Sequence, residues 1–408
     1  MFSTSRSVDY EARLGVALQV PDEIPSFIPV PSANVIVVGS LTSPSTCERQ
    51  LLASRYSLKK TAKMSPSSTS HDFAEKDGQF RRKPSAFRSF ISSDPNSEFP
   101  AEKDRYALYI HMGCPWAHRT NLVRSLKGLE QVVQLIVWDT SLVHEKKGWG
   151  MSGKPGFEKE PLYGYTNLRQ LYERANPDYE GRYLVPTLWD KKRQTIVNNE
   201  SSEIIRMFYT KFDALIPEHL RESSKGDKAI LPDHLRKDID AMNEWVYDTI
   251  NNGVSNIPVR TAYETYTEFM NLHQVYKTGF AQSQEAYEEH VYPVFESLDR
   301  LEEHLCQSGH GPYLFGDHIT EADIRLYPTL IRFDVAYFTI FKCNLKMIRY
   351  EYPQLHDWLR RLYWDESEAT NYGAFKKTVD FQAYKEGYSN ATKAKIVPAG
   401  PKPEIMPL

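Results

Sequence analysis

The sequence has 408 residues, which is too long for one typical domain and fits two domains with additional segments. Apolar residues make up 41% of the chain and aromatic residues 12%, which is enough for a sizeable core and unlike a disordered protein. The net charge of −3 gives no basic field for nucleic acid or a membrane surface, and no apolar run approaches the ~18 residues of a membrane span. The four cysteines are scattered without CxxC or metal-ligand spacing, so we expect free thiols, a reducing compartment and no metal site.

The first hundred residues are rich in Ser, Pro and charged residues and show no sustained period, which is typical of loops or disordered chain. Residues 51–60 look like a basic amphipathic presequence, and Met64 just beyond them is an alternative start. We therefore predict a disordered or targeting extension over residues 1–77. The predicted location is cytoplasmic, with a mitochondrial destination as the alternative if residues 1–63 act as a presequence.

Regular structure begins with an apolar run over residues 106–111, which predicts a buried strand. Pro115 suits the first position of a helix, because its missing N–H would be unpaired there anyway. Apolar residues then recur at helical spacing until Lys127 and Gly128 signal a stop. A second apolar run over 132–138 gives the next strand. Strand, short helix and strand form a βαβ unit, so these two strands are predicted to be parallel.

A hairpin and a helix follow a long polar and aromatic insertion at about 140–180. Residues 183–189 and 195–197 predict two strands joined by a polar turn, and a helix starts near Asn199. The order βαβ…ββα is the thioredoxin-like plan. We assign this domain to residues 78–225.

The remainder of the chain has a mostly helical apolar pattern. One of its helices opens at Thr320 with a capping box in which Asp323 takes the usual place of Glu or Gln. We predict an all-helical substrate domain over residues 226–375 and a C-terminal tail over 376–408. The predicted fold class is an α/β thioredoxin-like N-terminal domain followed by an all-α C-terminal domain.

Cys114 lies where the first predicted strand ends and the first helix begins. The unpaired N–H groups and the positive end of the helix dipole stabilise a thiolate at such a position, and cysteine reactivity depends on that ionisation. A buried structural cysteine is the alternative. We predict that Cys114 is a reactive nucleophile, because it stands at the helix boundary and not on an apolar face.

Two further signals follow in the order that a thioredoxin-like fold requires. Pro186 within a strand predicts a special bend, often cis, that exposes the backbone of Val185 to a peptide ligand; an ordinary edge-strand proline is the alternative. Glu200 and Ser201 place an acid and a hydroxyl at a helix start, where they can bind an α-amino and an α-carboxylate group respectively. An ordinary N-cap with an acidic first turn would look the same.

The short motifs around Cys114, Pro186 and Glu200 resemble those of the cysteine-type glutathione transferases. The longer strings that contain them resemble the xi class, the glutathionyl-hydroquinone reductases. The matching strings are Cys114 to Thr120, Val185 to Lys192, Thr195 to Arg206, Gly316 to Leu326, Arg332 to Asp334 and Phe341 to Asn344. The resemblance covers the chain from about residue 78 to residue 401.

By position, the resemblance implies that Cys114 is the catalytic nucleophile and that Tyr276 and Tyr388 lie over a hydroquinone ring. It also implies a glutathione site made of Trp149, Arg182, Val185, Pro186, Glu200 and Ser201. Trp149 stands in a glycine-flanked loop, where an exposed tryptophan is the alternative, and in a chain with 25 tyrosines an arbitrary Tyr is usually a packing residue. The implied partners are glutathione as cosubstrate and glutathionylated aromatic substrates, with no bound cofactor, no nucleic acid, no membrane and a homodimeric state.

The activity that the resemblance implies is reduction of S-glutathionyl-hydroquinones to hydroquinones through a Cys114–glutathione mixed disulfide, with release of oxidised glutathione. The nearest alternative is an omega-like thioltransferase or dehydroascorbate reductase. An alternative from another class is a non-catalytic binding protein with a glutathione transferase fold. The presence of Cys114, Glu200 and Ser201 together argues against that last alternative.

The chain departs from the family pattern at two places. Residues 254–274, 21 in all, cleanly interrupt a family string, and their codons are compatible with intron ends, so we predict an insertion or a retained intron. We expect such an insertion in a helical path to displace the ring of Tyr276 relative to Cys114, unless it loops out as a surface excursion, which loop-closure entropy would tolerate. The tail around Tyr388 lacks the His-Tyr pair that is common in the family.

Overall fold

The computed structural model describes residues 85–144, 148–246, 249–250, 274–392, 394 and 396–408. The predicted extension over 1–77 lies outside the described residues. So does the segment 254–274, except for its last residue. Among the residues that are described, no helix is both long and apolar enough to cross a membrane.

One mixed sheet forms the centre of the N-terminal domain. Its strands, in chain order, are β1 (Tyr106–His111), β2 (Val133–His144), β3 (Gly148–Gly150), β4 (Thr187–Asp190) and β5 (Thr195–Asn198). They lie in the order β3-β2-β1-β4-β5. Strands β1 and β2 are parallel, as predicted, and the other neighbouring pairs, including the predicted β4–β5 hairpin, are antiparallel. Strand β1 is buried along its whole length, because it lies at the centre of the sheet.

Three helices belong to this sheet: α1 (Pro115–Leu126), α2 (Leu168–Ala175) and α3 (Ser201–Thr210). Helix α1 has proline at its first position and stops before Gly128, whose φ of 63° is left-handed. Helices α1 and α3 match the prediction. The predicted insertion at about 140–180 contains β3 and α2 instead of loop alone. Helix α2 buries Leu168, Leu171 and Tyr172 against the sheet, so part of this stretch is integral to the domain.

The C-terminal domain is helical, as predicted. Its helices are α4 (Arg236–Val246), α5 (Gln274–Phe280), α6 (Gln284–Cys306), α7 (Glu321–Leu330), α8 (Ile348–Glu351), α9 (Pro353–Trp364), α10 (Ala374–Lys377) and α11 (Phe381–Ala391), with a π-helical turn at Phe333–Tyr337 after α7. Helix α7 begins with the predicted capping box, in which the Thr320 N–H donates to the Asp323 carboxylate at 2.8 Å. Helix α11 returns the predicted tail to the body of the protein, where it packs on β2 and the π turn.

Candidate active site

Cys114 caps the N-terminus of α1 with extended backbone, φ −81° and ψ 118°. Its N–H donates to the His111 carbonyl at 3.0 Å, which closes a tight turn between β1 and α1. The half-buried thiol lies 3.6 Å from the carbonyl oxygen of Val185. The sulfur therefore lies at a helix start, where the first-turn amides and the helix dipole favour a thiolate.

The Val185–Pro186 peptide bond is cis, as the sequence indicated. Tyr172 of α2 fixes the position of this loop, because its hydroxyl donates to the Leu184 carbonyl at 2.7 Å and accepts from the Leu184 N–H at 3.2 Å. The same hydroxyl accepts from the side-chain amide of Asn199 at 3.0 Å. Tyr172 therefore joins the cis-proline loop beside Cys114 to the segment that leads into α3.

Glu200 caps the N-terminus of α3, and Ser201 is the first residue of that helix. The Glu200 carboxylate accepts from the N–H and hydroxyl of Ser202 at 3.3 and 3.2 Å. The buried Ser201 hydroxyl lies 3.5 Å from the same carboxylate. A second segment reaches this point, since the Ser85 hydroxyl donates to Glu200 at 3.1 Å. An acid, hydroxyls and a helix start thus meet where an amino acid's charged ends would bind.

Trp149 and Arg182 come from two different segments, the edge strand β3 and the chain just before Val185. Trp149 is in the edge strand β3 and stacks on His111, with ring centroids 3.7 Å apart, so it is held by the residue that ends β1. The side chain of Arg182 is half-buried, and its carbonyl accepts from the Tyr179 hydroxyl at 2.8 Å. The stacking favours a positioned Trp149 over a freely exposed loop tryptophan.

Three tyrosine hydroxyls from the C-terminal domain form a hydrogen-bonded chain. Tyr388 of α11 is in the middle, 2.8 Å from the hydroxyl of Tyr276 on α5 and 2.9 Å from that of Tyr337 in the π turn. Tyr276 is half-buried, whereas Tyr388 and Tyr337 are buried, so the chain runs inward from Tyr276. Burial raises the pKa of all three well above the usual value, and Tyr337 and Cys114 add to the rise at Tyr276. All three phenols are therefore protonated at neutral pH.

Four residues that complete this region were assigned no role from the sequence: Tyr172, Tyr337, His118 and Arg332. Arg332 belonged to a matching string, and His118 to the string that begins at Cys114, but neither string suggested a contact between them. The expected displacement of Tyr276 is not observed, because Cys114 is near enough to contribute to the raised pKa of Tyr276, whose hydroxyl also lies within hydrogen-bonding distance of Tyr388. Within the described part of the chain, no three His, Cys, Asp or Glu side chains are placed to hold a metal ion.

A thioredoxin-like domain followed by an all-helical domain is the arrangement of the glutathione transferase fold. Family models agree: the model "Glutathione S-transferase, N-terminal domain" matches residues 113–211, and "Glutathione S-transferase, C-terminal domain" matches residues 284–361.

Comparisons with individual proteins identify the class within this family. The chain is 44% identical to "Glutathione S-transferase omega-like 2" of Schizosaccharomyces pombe, over 82% of this chain and 97% of that one. It is 42% identical to "Glutathionyl-hydroquinone reductase YqjG" of Escherichia coli, over 81% of this chain and 90% of that one. Its structure resembles that of the xi glutathione transferase ECM4 of Saccharomyces cerevisiae in complex with glutathione, with a TM-score of 0.66 and 37% identity over 80% of this chain and 100% of that one. The chain belongs to the glutathione S-transferase family, in the xi class that includes the glutathionyl-hydroquinone reductases.

Proposed function

We propose that this enzyme reduces S-glutathionyl-hydroquinones to hydroquinones with glutathione as the reductant. The observation that carries the proposal is the pairing of two groups. One is a thiol at a helix start beside the Val185 carbonyl, and the other is a chain of protonated tyrosine hydroxyls that begins at Tyr276, near Cys114. The thiol supplies a nucleophile, and the phenols supply a proton donor.

In the first step the Cys114 thiolate attacks the sulfur of the substrate thioether. A sulfur–sulfur bond forms while the bond from sulfur to the aromatic carbon breaks, and that carbon takes both bonding electrons. A proton must reach the carbon, and we propose that Tyr276 donates it, supported by the hydrogen bond of its hydroxyl to Tyr388. The hydroquinone leaves, and Cys114 is held in a mixed disulfide with glutathione.

In the second step the thiolate of another glutathione attacks the glutathione sulfur of that disulfide. The new bond makes oxidised glutathione, and Cys114 leaves as the thiolate. Two glutathione sulfurs are oxidised and one aromatic carbon is reduced, so electrons balance without a further cofactor. We propose that Glu200 and Ser201 bind the γ-glutamyl end of glutathione, that the Val185 backbone next to Pro186 pairs with its cysteinyl residue, and that Trp149 and Arg182 border the same site.

The names of the relatives support the hydroquinone reductase activity, but one of them also agrees with the omega-like alternative. The relative from Escherichia coli is named a glutathionyl-hydroquinone reductase, whereas that from Schizosaccharomyces pombe is named omega-like. An omega-like thioltransferase needs the same cysteine but no proton for a carbon leaving group. The buried tyrosine chain therefore favours the reductase, because a thiol-disulfide exchange does not require a proton donor for carbon.

To test this, purified enzyme is incubated with glutathione and glutathionyl-menadiol, and the release of free menadiol is measured by chromatography. Wild-type protein should release menadiol, and Cys114→Ser and Cys114→Ala should not. Cys306→Ser, at an exposed thiol at the end of α6, is the matched control and should retain full activity. Mass spectrometry should find the glutathione adduct on Cys114. Full activity in Cys114→Ser would refute the mechanism, and turnover of dehydroascorbate or mixed disulfides without menadiol release would favour the omega-like alternative.

We also propose a cytoplasmic homodimer that serves quinone detoxification. The described cysteines are free thiols, which is typical of a reducing compartment. Sedimentation analysis of the purified protein would test the dimer, and a fluorescent fusion in the source cells would test the location.

A further inference from the structure

Arg332 follows helix α7 and is fully buried, yet its guanidinium reaches into the other domain. It donates to the carbonyls of Met112 at 2.9 Å and Gly113 at 3.3 Å, which are the two residues before Cys114. A third bond goes to the Pro328 carbonyl of α7 at 2.6 Å. The rigid fork of a guanidinium suits this arrangement, because it fixes several acceptors at once.

Arg332 also contacts the helix that carries the cysteine. Its guanidinium donates to Nδ1 of His118 at 2.9 Å, and Nε2 of His118 lies 3.0 Å from the Thr378 hydroxyl. Because a guanidinium has no acceptor, Nδ1 must be unprotonated and Nε2 must carry the hydrogen. Burial, with the nearby Arg332 charge, lowers the pKa of His118 well below 6.5, in agreement with a neutral ring. Arg332 thus holds both the turn before Cys114 and the first turn of α1.

Among the residues that the structure describes, no carboxylate forms an ion pair with Arg332. Arg349 offers a contrast, since this similarly buried arginine pairs with Asp334 at 3.0 Å. The Arg332 guanidinium instead lies 3.7 Å from the ring centroid of Tyr384. Burial opposes its charge, but the pKa of a guanidinium lies so far above neutral pH that Arg332 stays protonated. Buried charges are normally compensated, which points to an anion that forms at this site.

We propose that Arg332 is the positioning residue of the active site, which fixes the His111–Cys114 turn through two backbone carbonyls and compensates the charge of the Cys114 thiolate. The proposal deepens the proposed function and rests on Cys114 being the nucleophile. The other titratable or charged groups facing this junction are His111 and His118 from β1 and α1, Tyr276 from α5, Tyr337 from the π turn, and Tyr384 and Tyr388 from α11. His118 is neutral and the tyrosines are protonated, so among these groups of the described chain Arg332 is the one from the helical domain that carries a charge.

The test compares Arg332→Lys, Arg332→Gln and the matched control Arg349→Gln, which removes another buried arginine that also donates to two backbone carbonyls, at Pro403 and Glu404. The rate of iodoacetamide alkylation of the Cys114 peptide is measured against pH by mass spectrometry, and kcat and KM with glutathionyl-menadiol are measured separately. The alkylation needs no substrate, so it remains informative even if the natural reaction is a different one. Thermal unfolding identifies any variant that fails to fold.

In Arg332→Gln we expect the pH midpoint of alkylation to rise by about one unit, the low end of the shift that a close opposite charge produces, and kcat to fall at least about tenfold. Arg332→Lys should keep the midpoint within a few tenths of a unit of wild type while kcat falls, because it retains the charge but loses the fork. Arg349→Gln should leave the midpoint unchanged. If both Arg332 variants keep the wild-type midpoint and kcat, or if Arg349→Gln changes them equally, the proposal is wrong.

Discussion

Replacing Tyr388 with phenylalanine removes the central hydroxyl of the tyrosine chain without changing the packing of the ring. Tyr388 loses contacts of 2.8 Å to Tyr276 and 2.9 Å to Tyr337. At about 1 kcal/mol for each buried hydrogen bond, the loss is about 2 kcal/mol of unfolding free energy. Tyr337→Phe removes only the inner of the two bonds, so it should cost about 1 kcal/mol, and urea unfolding measures both values.

The effect on catalysis should be confined to one half of the reaction. Loss of a general acid lowers a rate by about 100-fold or more. Tyr388 is hydrogen-bonded behind the proposed donor Tyr276, so we expect Tyr388→Phe to lower the single-turnover release of menadiol from glutathionyl-menadiol by up to about 100-fold. Tyr337→Phe leaves the Tyr276–Tyr388 bond in place, so its rate should fall by less than about tenfold.

The second half of the reaction provides an internal control. Glutathione attack on a preformed Cys114–glutathione disulfide transfers no proton to carbon, so Tyr388→Phe should regenerate the free thiol at the wild-type rate. Rapid mixing with mass detection of the adduct follows that step. Wild-type menadiol release in Tyr388→Phe, or an equal loss in both half-reactions, would refute the assignment of the tyrosine chain as proton donor.

Three further predictions concern packing, pH and the origin of one segment. In Gly279→Ala, the new Cβ would lie 2.1 Å from the ring of Phe341, which stacks on Tyr337, so we expect a loss of about 1–3 kcal/mol in denaturant unfolding and a lower kcat. Gly311→Ala is the control, because an added Cβ there meets no atom within 4 Å; equal stability of the two variants would contradict this account. Burial lowers the pKa of His118 well below 6.5, so the unfolded chain takes up this proton first and stability is lost as pH falls below 6.5. The free energy of unfolding should fall by about 1.4 kcal/mol at pH 5.5 because of His118, and this loss should be absent in His118→Asn. Urea midpoints that depend on pH identically in wild type and His118→Asn would contradict this contribution of His118. Transcript sequencing should find messages without codons 254–274; messages that uniformly contain them, with active protein made from them, would refute the retained intron.

Local signals in the sequence were sufficient for much of the fold. The apolar run over 106–111 predicted β1, and Pro115 and Gly128 marked the two ends of α1, because helix boundaries depend on the backbone of a few neighbouring residues. The βαβ unit predicted the parallel pairing of β1 and β2 for a similar reason, since a short helical crossover permits little else. Cys114 and Pro186 were recognised because each changes the chemistry of its own position.

The tertiary structure decided which distant residues meet. Tyr276, Tyr337 and Tyr388 lie on three separate elements, and no local pattern distinguishes them from other buried tyrosines. Tyr172 lay in a stretch that was predicted as an insertion, because its short helix and edge strand have too few residues for a clear period. Arg332 bonds to Met112 and Gly113 across more than 200 positions of sequence, and only the packing of α7 against α1 creates that contact. Side-chain identity therefore determined what each residue can do, whereas the packing of the two domains determined which of them act together.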